Sequence, residues 1–332
     1  MVLGCKRGTV ELYDHDPEWE TASARTIAQL KSVFGDAAVD IQHVGSTAIR
    51  SVKAKPIIDI AVGVINFDSV LPLIGVLEEK GFYKSKLHAI SNDILLCDGN
   101  EEADTRSYHI HIVIYGSTQW KNYIRFRDYL NANSTAAHEY EKTKLELAVK
   151  YPNDRNAYTE GKDNVISQIL RKAQVRALLG TIATVTVDRP AGTYHPRTNT
   201  IFYSINYGYL DDELAPDGSG LDVYIMGVSE PLKTFTGRVI GIIHRENDVE
   251  DKLVAAPDGM VFTQNEIGEA VHFVEKFYQT TIDAIYHKSA GIIVYRFMSG
   301  EPEYLVLFQH GSRTWSFPKG HMNAFETEEQ AA

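Results

Sequence analysis

A glycine–serine pair and one aspartate lie at a spacing suited to phosphate and metal binding. Gly45 allows the backbone to approach a phosphate closely, and Ser46 can donate a hydrogen bond to that phosphate. Asp59, on the next predicted strand, can hold Mg²⁺ beside the phosphate. A second carboxylate two residues later would strengthen such a site, but position 61 is alanine. One carboxylate alone holds Mg²⁺ weakly.

Two histidines can add ligands to this first site. His109 and His111 alternate with apolar residues along a predicted strand, so both side chains lie on one face of it. Imidazole ligands suit transition metals better than Mg²⁺. The metal preference of the site therefore depends on whether these imidazoles join Asp59.

A second candidate centre lies in the most acidic part of the chain. Asp217 and Asp222 flank a glycine-rich loop and can turn back onto one cation as hard oxygen ligands for Mg²⁺. A further group of charged residues follows an apolar strand: Glu246, Asp248, Glu250, Asp251 and Lys252. Carboxylates around paired cations, with basic and tyrosine side chains holding a polyanion, would activate water for attack on phosphorus. Without a metal these carboxylates would repel each other.

The net charge is concentrated in this second region. The 332 residues carry a formal charge of −11, and residues 177–282 alone hold 15 acidic and 7 basic residues. Residues 1–176 nearly balance, with 23 acidic and 22 basic residues. Such charges disfavour a protein that binds bulk nucleic acid through net positive charge. The acidic block is interpreted either as a metal site or as a solvated surface.

Cysteine content and hydropathy exclude several protein classes. Cys5 and Cys97 form no CxxC pair, which disfavours a disulfide framework and a thiolate zinc site. No apolar run approaches the ~20 residues that span a bilayer. Lys6 and Arg7 are not followed by the apolar core of a signal peptide. We therefore expect a cytoplasmic protein without a membrane partner, and a homo-oligomer is compatible with the sequence.

Secondary-structure signals place the first site on a small α+β layer. Asp16 before Pro17 predicts the start of a helix that ends near Gly35. Hydrophobic periodicity predicts the following strands and helices: strands over 39–44, 57–62 and 108–113, a helix over 68–80, and a helical region with two breaks over 120–172. The second of these strands is nearly all apolar and is therefore expected to be central in its sheet.

The texture of the chain changes near residues 177–180. Strand signals then recur up to residue 256, punctuated by glycine and proline, and a helix is predicted over 264–279. Two final strands, over 291–295 and 304–308, are expected to pair with each other. The chain therefore divides into an α+β part, a β-rich part and a short third segment.

Several stretches of the α+β part carry a family resemblance: His15–Trp19, Val44–Thr47, Lys55–Ile60, His109–His111, Phe126–Leu130 and Tyr158–Lys162. In this order they resemble the GrpB (UPF0157) family, which has a nucleotidyltransferase-like fold, over residues 9–176. The resemblance implies a pocket formed by Gly45, Ser46, Lys55, Asp59, His109 and His111. It leaves two activities open, phosphate binding without turnover and nucleotidyl transfer.

The β-rich part carries a second resemblance. Asn206–Tyr209 precedes Asp217–Asp222, a strand over 240–243 leads to Asp251–Val254, and Asp188–Gly192 opens the segment. In this arrangement residues 180–283 resemble soluble Mg²⁺-dependent inorganic pyrophosphatases, whose fold is an OB-like β-barrel. The resemblance makes Mg²⁺ the expected cofactor.

The second resemblance also implies roles for individual residues. The catalytic set comprises Asp217, Asp222, Tyr207 and Lys252, and the metal ligands are drawn from Asp217, Asp222, Asp248, Glu250 and Asp251. Phosphate contacts are expected from Tyr207, Lys252, Asp188 (as a second-tier acidic group) and Arg197 or His195. Pyrophosphatases have an acid where Ser219 stands, so this site is expected to turn over slowly.

The last segment resembles the start of a Nudix hydrolase. Trp315–Met322 is followed by Glu326, and the spacing of Gly320 and Glu326 matches the opening of the Nudix box. The remaining metal-binding residues of that box would lie beyond Ala332, so residues 286–332 are expected to form an incomplete, inactive α/β segment. The alternative is an unrelated β-hairpin.

The sequence thus predicts a multidomain protein: an α+β nucleotidyltransferase-like domain, an OB-like β-barrel pyrophosphatase-like domain and a truncated Nudix segment. The preferred function is Mg²⁺-dependent hydrolysis of inorganic pyrophosphate to phosphate, fused to a GrpB module that binds nucleotide or phosphate. One alternative is a nucleotidyltransferase-like or nucleotide-binding protein with an inactive pyrophosphatase domain. Another is a fragment of a Nudix-type nucleoside polyphosphate hydrolase.

Overall fold

The computed structural model describes most of the chain: residues 2–6, 8–85, 92–98, 105–215, 218–248, 250–286, 289–309, 313–321 and 328–331. Two predicted site residues, Asp217 and Glu326, lie outside these ranges. The chain forms two compact units, Met1–Gln174 and Val175–Ala332. The finer domain boundaries near 180 and 286 remain predictions. Within the described ranges, every helix is too short or too polar to cross a bilayer.

The first unit is an α+β fold. Its strands are β1 (Cys5–Lys6), β2 (Ala38–Val44), β3 (Ile58–Val64), β4 (Tyr83–Lys84), β5 (Ile94–Cys97), β6 (Thr105–Arg106) and β7 (Tyr108–Ile114). Its α-helices are α1 (Glu18–Phe34), α2 (Ile74–Glu79), α3 (Thr118–Ala132), α4 (Ser134–Lys150), α5 (Arg155–Glu160) and α6 (Asp163–Leu178), the last of which continues into the second unit. The short 3₁₀ turns are Gly35–Ala37, Ser46–Ala48 and Leu71–Leu73.

A five-stranded mixed sheet in the order β2-β3-β7-β5-β4 organises this unit. β3 pairs in parallel with β7, which places Asp59 opposite His109 and Ala61 opposite His111. The other residues of β3 alternate with these, so Ile58, Ile60 and the valines face the opposite side of the sheet. That side packs against α1 in the main core cluster. The prediction of β3 as a central apolar strand is confirmed.

The breaks predicted in the helical region occur at side-chain caps. The side chain of Asn133 accepts a hydrogen bond from Ala136 N–H, so this one residue ends α3 and starts α4. The side chain of Asp154 caps α5 in the same way. The helix predicted over 68–80 is shorter than expected: after a 3₁₀ turn, α2 covers only Ile74–Glu79. Pro72 lies in that turn and has no N–H to donate, so regular helical bonding starts after it.

The second unit begins with a five-stranded closed barrel. Its elements are β8 (Ile182–Arg189), β9 (Thr193–Tyr194), β10 (Phe202–Tyr203), β11 (Asn206–Leu214), β12 (Gly220–Ile225), β13 (Thr234–Arg245), β14 (Lys252–Ala256), α7 (Gln264–Glu275) and β15 (Thr280–Ala284). The barrel closes in the order β14-β12-β11-β8-β13 because β13 also pairs with β14, and β15 extends the sheet beyond β13. The prediction of a β-barrel is confirmed.

Alternating residues give the barrel wall two apolar layers. Leu221, Val223 and Ile225 of β12 belong to one core cluster, whereas Tyr224 belongs to a second cluster together with Ile267 of α7. Since α7 lies outside the strand ring, the first cluster fills the barrel and the second lies between its wall and α7. Residues at even positions of β12 therefore share the α7 side of the wall.

Asn206 fixes the entrance of β11. Its side chain is fully buried, and its Oδ1 accepts hydrogen bonds of 3.0 Å from the backbone N–H groups of Ala191 and Leu232. Its Nδ2 donates to the carbonyl oxygens of Val228 and Glu230. The asparagine thus ties two loops to the barrel and leaves its neighbour Tyr207 in a fixed position.

The last part of the second unit consists of short strand pairs. It contains β16 (Ser289–Gly291), β17 (Tyr295–Met298), β18 (Glu301–Tyr304), β19 (Leu307–Gln309), β20 (Thr314–Ser316), β21 (Lys319–His321) and α8 (Glu328–Ala331). β17 pairs with β18 through Tyr295 and Tyr304, whereas Gly291 pairs with Lys319. The two predicted strands therefore pair only at their adjoining ends. Many apolar side chains of this segment are exposed.

The close approach of β11 and β8 gives a test of the barrel. A Cβ atom at Gly208 would lie 2.0 Å from the carbonyl oxygen of Thr186, and backbone cannot move aside cheaply. We expect Gly208→Ala to destabilise the barrel by about 1–3 kcal/mol. Hydrogen-exchange mass spectrometry of peptides from β8 and β11 measures this loss as faster exchange.

Gly75→Ala is the matched control, because a Cβ at Gly75 meets no atom within 4 Å. Its substitution in α2 should leave exchange unchanged or slower. Equal protection of β8 and β11 in the Gly208→Ala and wild-type proteins would contradict the strand packing described above.

Candidate functional site

Gly45 turns the chain directly over the carboxylate of Asp59. Val44, at the end of β2, lies opposite Asp59, and Gly45 has a φ of 69°. A Cβ atom at Gly45 would lie 2.2 Å from Oδ2 of Asp59. The hydroxyl of Ser46 shares a hydrogen bond of 3.1 Å with the hydroxyl of Tyr140. The structure therefore brings together the glycine, the serine and the aspartate singled out in the sequence.

Both predicted histidines face this carboxylate. Nδ1 of His109 lies 3.0 Å from Oδ1 of Asp59, and Nε2 of His111 lies 3.8 Å from the same oxygen. Nδ1 of His111 lies 3.1 Å from Oδ2 of Asp93, whose carboxylate is fully buried. The hydroxyl of Tyr123 donates to that same Asp93 oxygen at 3.1 Å. Within the described residues, Asp59, His109 and His111 form the one group of at least three Asp, Glu, His or Cys residues with ligand atoms all within 4.8 Å.

The protonation of this cluster follows from its hydrogen bonds. Burial raises the pKa of Asp59, but hydrogen bonds from the two histidines outweigh burial and hold that pKa well below its usual range. Burial lowers the pKa of His111, but Asp59 and Asp93 outweigh it and raise the pKa to about 9. Asp59 is therefore ionised, and the imidazole of His111 readily carries positive charge.

A set of cations lies beside Asp59. The ring of Tyr158 has the ammonium of Lys55 4.4 Å from its centroid and that of Lys162 4.7 Å from it. Burial, together with the charges of Lys162 and Arg155, lowers the pKa of Lys55 to about 8, although the charge of Asp59 acts in the opposite direction. The ion pairs of the described residues give none of these three cations a carboxylate partner. Three neighbouring cations without an ion-pair partner among the described residues favour an anion.

In the second unit, one lysine joins two acids of the predicted site. Nζ of Lys252 lies 2.5 Å from Oδ2 of Asp222 and also contacts Oε2 of Glu250. β12 and β14 are parallel, with Val223 opposite Leu253, so Asp222 and Lys252 sit one step before that pair. The lysine side chain is 4% exposed, whereas Asp222 is 24% exposed. A buried cation therefore lies beneath two acids that solvent can reach.

Two further side chains lie near Asp222 because β11 pairs with both β12 and β8. Tyr207 lies opposite Arg189 of β8, whose guanidinium carbon is 4.8 Å from the tyrosine ring centroid. Burial, followed by the charge of Asp222, raises the pKa of Tyr207 well above its usual value, and the tyrosine hydroxyl bonds the Asp222 carboxylate. Oδ2 of Asp188 lies 3.8 Å from Nη2 of Arg189. The negative charge of Asp222 also acts on the Asp188 carboxyl group.

Arg197 and His195, which were predicted to contact phosphate, lie between β9 and β10. Arg197 is exposed, and Nδ1 of His195 accepts from the backbone N–H groups of Arg197 and Thr198 at 3.3 Å. Arg189, which the sequence analysis did not select, occupies the place beside Tyr207. Ser219 is exposed in the loop before β12.

Two of the clustered acids have basic partners of their own. Asp251 lies 2.8 Å from Nδ1 of His244, and Asp248 lies 2.9 Å from the guanidinium of Arg245. Arg245 also forms a two-point ion pair with Glu275 of α7, at 2.9 and 2.7 Å. Of the three acids at 248, 250 and 251, the structure brings Glu250 alone to Asp222 and Lys252.

Comparisons with known proteins identify the first unit. The family model described as "GrpB protein" matches residues 9–172. The "Glutamate-rich protein GrpB" of Alkalihalophilus pseudofirmus is 37% identical over 173 residues, which cover 52% of this chain and 99% of that protein. The chain belongs to the GrpB family. The resemblance to GrpB predicted from the motifs is thereby confirmed.

Two solved structures are similar to parts of the chain. The conserved protein GrpB from Enterococcus faecalis is 28% identical, with a TM-score of 0.46, over 49% of this chain and 96% of that one. An inorganic pyrophosphatase from Neisseria gonorrhoeae is 28% identical, with a TM-score of 0.21, over 24% of this chain and 56% of that one.

Within the GrpB part, sequence reasoning selected Asp59, His109 and His111 but not all the side chains around them. Asp93 lies in an irregular stretch without any motif, so no local signal marks it. Tyr158 and Lys162 belong to a GrpB motif and could have been selected from it. Arg155 directly follows Asp154, whose side chain caps α5. In the sequence, a basic residue there is explained by the start of a helix and does not indicate a binding site. These residues become functional candidates only when the fold brings them to Asp59.

The half-buried pair of His244 and Asp251 predicts a pH dependence of stability. Burial lowers the pKa of His244, but Asp251 and Asp283 outweigh it and raise the pKa to about 9 from 6.5. A group with a raised pKa stabilises the fold fully below its unfolded pKa and loses that effect as pH rises through its folded pKa. We expect the stability advantage of wild type over His244→Gln to be full at pH 6 and lost by about pH 10.

Urea unfolding at several pH values measures this difference. His138→Gln, an exposed change on α4, should track the wild type at every pH. A constant difference between the wild-type and His244→Gln proteins across this range would refute the charged pair.

Proposed function

We propose that residues 180–283 hydrolyse inorganic pyrophosphate to phosphate with Mg²⁺. The observation that carries the proposal is the meeting of Asp222, Glu250 and Lys252 beside Tyr207 and Arg189. Such a cluster combines acids that can hold divalent cations with bases that can hold phosphate groups. This site in the second unit is half-buried, so its charges interact with one another more strongly than they would in water.

The donor set fits Mg²⁺. Carboxylate oxygens are the hard ligands that this cation takes, and the oxygens of Asp222 and Glu250 converge on a single ammonium group. Asp217, five residues before Asp222 in the sequence, is the third acid that we assign to the set. When bound, Mg²⁺ neutralises phosphate charge and activates water for attack on phosphorus.

The basic and phenolic side chains bind and orient the diphosphate. Arg189 offers a planar fork of N–H donors suited to two phosphate oxygens, and the ring of Tyr207 supports that fork. Tyr207 is protonated at neutral pH, and its hydroxyl, which donates to the Asp222 carboxylate in the free protein, would turn to a phosphate oxygen when Mg²⁺ occupies that carboxylate. Lys252 provides a positive charge that the barrel wall shields from solvent.

Two acids of the predicted metal set, Asp248 and Asp251, have other partners in the structure. Asp248 anchors Arg245, which ties α7 to the barrel through Glu275. Asp251 pairs with His244. Both acids are therefore excluded from the proposed metal set, and Asp248 provides a control of the same residue type in the same loop.

Phosphate release from pyrophosphate tests this function directly. The wild-type protein is expected to release phosphate only with Mg²⁺. Lys252→Met or Asp222→Asn should lower the rate by about 10²–10³-fold, the range seen when one transition-state contact is removed. Asp248→Asn should retain a rate within about threefold of wild type. Circular dichroism confirms that each variant is folded.

A wild-type rate no higher than that of Asp222→Asn, at protein concentrations that detect slow turnover, would overturn the proposal. In that case the alternative of a nucleotide-binding GrpB protein with a silent barrel gains support. A panel of nucleoside triphosphates in the same assay distinguishes the diphosphatase from a nucleoside polyphosphate hydrolase.

Ser219 gives a test in the opposite direction. It stands where an acid is expected in the pyrophosphatase motif, in the loop that leads to Asp222. We expect Ser219→Asp to raise the rate of Mg²⁺-dependent phosphate release, because a further carboxylate can activate water. Ser219→Asn, which has the same size without the charge, should not. A lower rate in Ser219→Asp would show that this loop is assigned incorrectly.

A further inference from the structure

Three side chains on adjacent positions of β3 and β7 present ligand atoms to one point. Nδ1 of His109 and Nε2 of His111 lie 3.0 and 3.8 Å from Oδ1 of Asp59. Ligands that each lie ~2.0–2.1 Å from a tetrahedral metal are about 3.3 Å from one another. The separations in the first unit bracket that value. The backbone register therefore already sets the spacing that a metal ion needs.

The support of His111 is of the kind that orients metal ligands. Its Nδ1 lies 3.1 Å from the buried carboxylate of Asp93, and the hydroxyl of Tyr123 contacts both groups. A carboxylate that accepts from one imidazole nitrogen leaves the other nitrogen as the metal ligand and fixes the ring orientation. Here the other nitrogen is the one that faces Asp59.

The donor set selects the class of metal. Two imidazoles and one carboxylate suit zinc-class transition metals, whereas Mg²⁺ favours all-oxygen sites. The residue two positions after Asp59 is Ala61, which supplies no second carboxylate. Three protein ligands leave at least one coordination position for another molecule, as in catalytic zinc sites.

The surroundings select the chemistry of that other molecule. Lys55 and Lys162 flank Tyr158, and Arg155 lies close enough for its charge to act on Lys55. None of the three cations has a carboxylate partner among the described residues. The Gly45 backbone packs directly against the Asp59 carboxylate, and the next residue, Ser46, adds a hydroxyl group. These groups match a phosphate.

We propose that Asp59, His109 and His111 bind one divalent transition-metal ion of the zinc class, and that Lys55, Arg155 and Lys162 hold a phosphate group beside it. The ligand is therefore a phosphate-bearing small molecule that contacts the metal through an open position. This centre is separate from the proposed diphosphatase site and does not depend on its activity.

Cobalt binding by the full chain tests the metal centre, because Co²⁺ replaces zinc and reports its ligands in the visible spectrum. We expect the wild type to bind one Co²⁺ at this centre in the presence of excess Mg²⁺, and one Zn²⁺ to displace it. His109→Ala and His111→Gln should lose this site, and Asp93→Asn should weaken it by about 10–100-fold. His138→Ala and Asp222→Asn should bind as wild type does.

Glutamine at 111 keeps a polar group beside Asp93, so His111→Gln removes the metal ligand with little disturbance of the fold. Circular dichroism and thermal unfolding identify any variant that is not folded. Equal Co²⁺ spectra and affinities in the wild type, His109→Ala and folded His111→Gln would overturn the proposal.

Inorganic phosphate tests the cationic side of the same centre. Its addition should change the Co²⁺ spectrum of the wild type and of Asp222→Asn alike, since the barrel takes no part. Lys55→Met and Lys162→Met should require about tenfold more phosphate for the same change, whereas Lys172→Met, an exposed lysine on α6, should not. A spectrum insensitive to phosphate, or equally sensitive in all the lysine variants, would remove the phosphate from the proposal.

Discussion

Strand register is the constraint on which both candidate centres depend. In the first unit, the parallel pairing of β3 with β7 sets Asp59 opposite His109 and within reach of His111. In the second, the parallel pairing of β12 with β14 sets Lys252 beside Asp222. A slip of one residue would turn these side chains to the opposite face and bury uncompensated charge. Charge pairing and apolar alternation thus specify the same register.

The rest of each unit holds that register in place. In the first unit, Gly45 can cross over Asp59 only because it has no Cβ atom. In the barrel, Asn206 fastens two loops by four hydrogen bonds, and the pair of Arg245 with Glu275 attaches α7. Buried charges without partners cost several kcal/mol, so these networks stabilise the fold only as complete sets. These hydrogen bonds and ion pairs hold the side chains of each centre in place, as a binding site for ions requires.

Local signals in the sequence predicted much of this arrangement. The strand alternation at His109 and His111, the break in the helical region near Asn133 and the Gly45–Ser46 turn each depend on neighbouring residues. The contributions of Asp93, Lys162 and Arg189 depend on pairings between distant segments, which periodicity does not determine. The same limit applied to the acids at 248, 250 and 251: alternation along one strand gave no reason to prefer Glu250. The partners Arg245 and His244 decide that choice, and they are visible only in the fold.

Both centres place acids of a sheet next to cations, the combination that phosphate chemistry with metal ions requires. The central claim is that the barrel holds a metal–diphosphate complex at Asp222, Glu250, Lys252, Tyr207 and Arg189. A crystal structure of the full chain with Mg²⁺ and imidodiphosphate, a diphosphate analogue with a nitrogen bridge, tests this claim most directly. The account predicts Mg²⁺ on Asp222 and Glu250, with the analogue on Arg189 and Tyr207. A barrel without metal or analogue, at concentrations that saturate known diphosphate sites, would contradict it.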